Sequence, residues 1–182
     1  MKENKISILS KKSIVDSLFD LLYVKSFEEI TVSEIAENAD LDRRTFYRHF
    51  KSKEEVLSCY VQEKAKQYEQ RMAASKFDIQ TALKEIFCIF EENKEILTLF
   101  YRRNLLHILL YNLNTAFQKY EYINIVNEKL QPEHRAYKSA YHSGGLGNLL
   151  TVWLSEGCER SPCQMSEILC KILEESKMIK SD

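Results

Sequence analysis

Turn-forming residues are scarce in this chain, with four glycines and two prolines among 182 residues. An architecture of many short strands would need more turn chemistry than that, so the scarcity favours helices. Apolar residues come in separated pairs, and nowhere do they run for the roughly 20 positions a membrane span needs. The lysine-rich stretch from Met1 to Lys12 lacks the apolar core and cleavage site of a secretory signal, so a cytoplasmic protein is expected. The five cysteines (Cys59, Cys88, Cys158, Cys163, Cys170) are odd in number and form no C-x-x-C pair. Reduced thiols are expected rather than a disulfide framework. Only four histidines occur, none in a recognisable nucleophile or metal constellation. No catalytic site, metal or cofactor is expected, and an enzyme is a remote alternative.

A formal net charge of −1 argues against a protein that coats nucleic acid through bulk charge. The placement of charge says more. Between Asp42 and Lys53 stand five cations (Arg43, Arg44, Arg48, Lys51, Lys53) against the single acid Asp42. A local basic patch on a near-neutral chain fits site-directed DNA binding, although a solvated helix face would look the same.

Periodicity and caps place the helices. Ile14, Val15, Leu18, Phe19 and Leu22 recur at helical spacing, which predicts a first helix from about Ser10 to Tyr23. Thr31-Val-Ser-Glu34 is a capping box for a short helix over Val32–Asn38. Ala39-Asp40-Leu41 reads as a tight turn, and Asp42 as the N-cap of a third helix over Arg43–His49. Ser52-Lys-Glu-Glu55 is a second box, launching a long helix as far as about Ala74. These are helix-turn-helix proportions: a short helix packs across a third, whose polar face enters a major groove.

The rest of the chain also reads as helical. Apolar clusters recur from Leu83 to Phe90, from Ile96 to Leu113, and at Phe117 and Tyr120. A break at Pro132 precedes a long helix from about Glu133 to Ser155, interrupted by Gly144, Gly145 and Gly147. Ser161-Pro162-Cys-Gln164 then caps a last helix with Met165, Ile168, Leu169, Ile172 and Leu173 on one stripe. The expected fold is all-α. A three-helix DNA-binding domain (residues 1–52) is joined by a long helix to a helical regulatory and dimerisation domain (residues 53–182).

The segment TVSEIAENADLDRRTFYRHFKSKEEVL, from Thr31 to Leu57, resembles the DNA-binding domain of the TetR family of bacterial regulators. Two positions depart from the family pattern: Asp40 stands at a turn glycine, and Arg44 where a small residue is usual. The segment SGGLGNLLTVWLSEGCERSPCQMSEIL is similar to a subgroup of that family that includes regulators of dihydroxyacetone kinase operons.

The resemblance implies a homodimeric regulator of a palindromic double-stranded operator. A repressor released by a small-molecule effector is expected, with an activator or a protein-controlled regulator as the alternative. It assigns base reading to Arg43, Arg44 and Thr45, and phosphate contacts to Tyr47, His49 and Lys53. Thr31 or Ser33, at the start of the second helix, would add another phosphate contact. Arginine suits a base edge because its fork matches guanine O6 and N7. Trp153, Met165, Ile168, Leu169, Ile172 and Leu173 are expected at a dimer interface, with internal core as the alternative. Cys88, Tyr101, His107, Tyr111, Tyr137 and Tyr141 are candidates to line an effector pocket, although aromatics at helical spacing are more often core.

Overall fold

The computed structural model describes residues 5–73, 79–119 and 132–176. Tyr120, expected to extend an apolar cluster, lies outside them, as does the end of the fourth helix at Ala74. Among the described residues the chain forms nine α-helices and no strand. The first three are α1 (Lys5–Val24), α2 (Val32–Asn38) and α3 (Arg43–His49), and α4 (Lys53–Ala73) leads away from them. Then come α5 (Ile79–Glu92), α6 (Lys94–Arg102) and α7 (Leu106–Lys119). A 3-10 turn at Pro132–His134 opens α8 (Arg135–Ser155), and α9 (Pro162–Ser176) follows.

The first helix begins a turn earlier than its apolar stripe suggests. Ile14, Leu18 and Leu22 are fully buried, but so is most of Ser10, whose hydroxyl donates to the Ile6 carbonyl at 3.0 Å. Ile6, Ile8 and Leu9 face outward, so this first turn carries no inward periodicity to read. Packing then orders the helices. α2 lies on α1 and α3, while α1 also touches α4 and α6. Further on, α5 packs on α9, and α7 on both α4 and α8. One connected apolar cluster runs from Ile14 through Phe46, Phe87 and Trp153 to Met165.

Local chemistry explains the turns. At the end of α2 the Leu41 N–H donates to the Ala36 carbonyl at 2.9 Å, and the Asp40 N–H to Glu37 at 3.0 Å. That pattern is a Schellman ending, and it forces Asp40 to a left-handed φ of 54°. Aspartate holds that conformation at a cost that glycine escapes. Asp40→Gly should therefore stabilise the fold by roughly 0.5–1 kcal/mol, raising Tm by about 1–4 °C. A fall in Tm on thermal denaturation would show that the Asp40 carboxylate has a task of its own.

The three mid-helix glycines of α8 are not equivalent. A Cβ on Gly147 would fall 1.7 Å from Leu110 Cδ2, so Gly147 is where α7 and α8 cross. Gly144 and Gly145 would place a Cβ in open space, and no contact among the described residues gives a reason for them.

Candidate nucleic-acid interface

The N-terminus of α2 is built from Thr31. Its Oγ1 accepts from the Glu34 N–H at 3.2 Å, while Glu34 Oε2 accepts from the Thr31 N–H at 2.9 Å. The carboxyl of Glu34 also pairs with Lys25. The Lys25 ammonium, with the Thr31 donors, holds it down at about 2, so the box keeps its charge through the neutral range. Thr31 and Ser33 are both exposed at this helix start.

Asp42 caps α3 by accepting from the Thr45 N–H at 2.5 Å. A seven-residue helix then separates two faces. Phe46 and Phe50 are buried, and Phe46 packs edge-on against Tyr47 with centroids 5.5 Å apart. Arg43, Arg44, Tyr47 and Arg48 face solvent, while Thr45 is half-buried. The Arg43 guanidinium lies 6.0 Å from the Tyr47 ring centroid, a cation–π distance that orders a long side chain. His49 is half-buried beside the Phe50 ring, with centroids 6.5 Å apart. In the second capping box the Glu55 carboxylate reaches one residue further back than expected, to the Lys51 N–H at 2.5 Å. The Glu55 N–H donates in turn to Ser52 Oγ at 3.3 Å.

Lys53 has an internal task that its sequence position does not announce. Its ammonium donates to the carbonyls of Phe27 and Ile30, the latter at 2.7 Å, with Glu28 at 3.3 Å. It also lies 4.5 Å from the centroid of the Phe27 ring.

The expected interface and pocket residues divide between the core and the surface of the single chain. Trp153 is fully enclosed by its own chain, edge-on to Phe87 at 6.1 Å, with Nε1 donating to the Arg160 carbonyl at 2.9 Å. It pins the α8–α9 turn from within the core of its own chain. Met165 is core as well, 5% exposed. Ile168, Leu169 and Leu173 are half-buried, and Ile172 is exposed. The pocket candidates do not converge on an interior space. Tyr111, Tyr137 and Tyr141 are each more than 70% exposed, and Tyr101 and His107 also face solvent. Cys88 is half-buried on α5. The physical reason is the helical period: Ile108 and Leu109 took the inner face of α7, and Leu146, Gly147 and Leu150 that of α8, which turned the tyrosines outward.

Two long-range contacts had no signal in the sequence pattern. Ser17 Oγ donates to the Ile35 carbonyl at 2.8 Å and accepts from Asn38 Nδ2 at 3.2 Å, which locks α2 on α1. Arg103, at the end of α6, donates from Nε to the Leu22 carbonyl at 2.8 Å and from Nη2 to Tyr23 at 3.0 Å.

A capped pair of short helices with an exposed cationic face, set on a larger helical body, defines a helix-turn-helix DNA-binding regulator. Residues 14–58 match the bacterial regulatory proteins of the tetR family, and residues 78–175 match a transcriptional regulator C-terminal region. The chain belongs to the TetR family of bacterial transcriptional regulators.

Over 54 residues it is 39% identical to the dhaKLM operon transcriptional activator DhaS of Lactococcus lactis subsp. lactis strain IL1403. That stretch covers 30% of this chain and only 29% of the length of DhaS. Among solved structures, Lin0861 from Listeria innocua aligns with a TM-score of 0.79 at 13% identity, over 99% of this chain and 96% of that one. The dihydroxyacetone kinase operon activator DhaS aligns at 0.56 and 20% identity, over 96% and 99% of the two chains. Thermus thermophilus FadR, a TetR family repressor in complex with lauroyl-CoA, aligns at 0.58 and 18%, over 94% and 97%. These three likenesses establish the shared fold.

Proposed function

We propose that the protein is a cytoplasmic homodimer that represses transcription from a palindromic operator and is released by a small molecule. Residues 1–52 read DNA, and residues 53–182 dimerise and sense the effector. Arg43, Arg44 and Thr45 approach base edges, while Thr31, Ser33, Tyr47 and His49 approach phosphates. Lys53 borders that surface from the start of α4. One observation carries the DNA-reading part: Arg43, Arg44, Tyr47 and Arg48 are together exposed on a helix whose other face is buried. That division is what a groove-reading helix requires.

The dimer surface consists of the outward face of α8, with Tyr137, Tyr141, Gly144, Gly145 and Val152, and the edge of α9 with Ile172. Release by a small molecule is supported by the similar FadR structure, which holds lauroyl-CoA. Activation is the second reading, favoured by the 39% identity over 54 residues to the activator DhaS.

Selection from a random duplex library tests the operator reading. The expected product is a palindrome whose half-sites lie about one helical turn apart, roughly 10 base pairs. A reporter placed behind that sequence then gives the sign, with repression lowering its output. Failure to enrich any duplex over random DNA sinks the operator reading.

A further inference from the structure

The geometry points to Lys53 and Arg103 as positioning residues that hold the DNA-reading helices in register with the C-terminal helices by strapping the α1–α2 connection. This inference rests on the DNA-binding reading above, and it concerns how the reader is held rather than what it touches.

The last carbonyls of any helix lack partners within the helix. In α1 the Leu21 carbonyl is taken by the Lys25 N–H at 2.9 Å, and no basic residue stands in the last turn to take the next ones. Arg103 takes the carbonyls of Leu22 and Tyr23 from 80 residues away in sequence. Its charge is also favourable at the negative end of the helix dipole. A few residues on, the carbonyls of Phe27, Glu28 and Ile30 are gathered by Lys53. Two cations outside the first three helices thus hold five carbonyls between residues 22 and 30. Phe27 and Ile30 anchor the same connection from below, since both are buried.

The residue after Ile30 is Thr31, the N-cap of α2. Displacing the strap therefore displaces the start of α2, and with it α3, which α2 carries through the Asp40 turn. A groove-reading constellation tolerates misplacement of only about 0.5 Å. A cation several turns from the groove can then change operator affinity without touching DNA.

The test uses the full-length chain and the duplex enriched by selection, at a temperature where circular dichroism shows each variant folded. Arg103→Met should weaken operator binding about tenfold, with an unchanged dependence on salt. Arg103→Lys should recover part of the loss, because a lysine can reach a carbonyl but lacks the two-pronged fork. Lys53→Met should also weaken binding with an unchanged salt slope, whereas a phosphate contact would reduce the slope by about one. The double variant should lose less than the product of the two single losses, since both release the same segment.

Amide exchange needs no DNA. It should quicken from Phe27 to Glu34 in each variant while α5 and α9 keep their protection. Unchanged exchange there, or wild-type operator affinity in Arg103→Met, overturns the strap. A salt slope smaller by one in Lys53→Met overturns the part assigned to Lys53. A wild-type chain that enriches no duplex defeats the operator reading, and exchange still decides the strap.

Discussion

Val152→Asp combined with Ile172→Asp should leave a folded monomer that has lost its operator. Both side chains are exposed in the single chain, at 55% and 44%, so neither carboxylate has to be buried for the subunit to fold. Across a two-fold interface the same carboxylates would lose water without gaining partners, at several kcal/mol each. An isologous interface places every substitution twice, which doubles the penalty. One helix-turn-helix makes too few contacts for tight binding, and the second half-site is engaged at high effective concentration only while the dimer holds. Operator affinity should fall by a factor on the order of a hundred or more.

The glycines sharpen this expectation. Gly144 and Gly145 each cost about 1 kcal/mol in the middle of a helix, yet a methyl group there meets nothing among the described residues. Gly144→Ala should thus raise the stability of the monomeric double variant while weakening the wild-type dimer by crowding the partner helix. Sedimentation that finds the double-aspartate variant still dimeric would move the interface off these faces. Loss of helical circular dichroism would instead place Val152 or Ile172 in the core.

Local devices were legible in the sequence because their partners lie three or four residues away. Thr31 with Glu34 and Asp42 with Thr45 are hydrogen-bonded as their spacing suggests, and Asp40 has the left-handed backbone of the glycine it replaces. Capping chemistry needs no knowledge of the rest of the chain. What could not be read is whatever depends on the packing of distant helices. Trp153 looks like an interface residue until Phe87, 66 positions away, is found against it. The three glycines of α8 look alike until Leu110 singles out Gly147. Lys53 sits in a cationic run that suits phosphates, and nothing local says that the Phe27 and Ile30 carbonyls claim it. Tyr137 and Tyr141 stand at helical spacing, but a period fixes a face and not which way that face turns.

Arg43→Ala should cost about 1–3 kcal/mol at the selected operator, a loss of roughly 5- to 150-fold, and almost nothing on random duplex. The reason lies in the difference between a base edge and a phosphate. Guanidinium donors that fork onto one base are sequence-dependent, because another base presents the wrong acceptors. Phosphate contacts are the same on every duplex and dominate non-specific binding. The proposed reading assigns Arg43 the first kind of contact. It stands in the opening turn of α3, is exposed, and lies beside the Tyr47 ring at 6.0 Å, which cuts the freedom it would otherwise lose on binding. Arg43→Lys should not restore binding, since an ammonium offers neither the fork nor the same stacking. Arg44, one residue on and also exposed, provides a comparison within the same helix. If it meets backbone rather than base, Arg44→Ala will weaken operator and random duplex by similar factors and lower the salt slope. Titrating both variants against both duplexes at several salt concentrations separates these cases. An Arg43→Ala variant that loses operator and random DNA in equal measure would make Arg43 a phosphate contact, and base reading would have to lie elsewhere on α3.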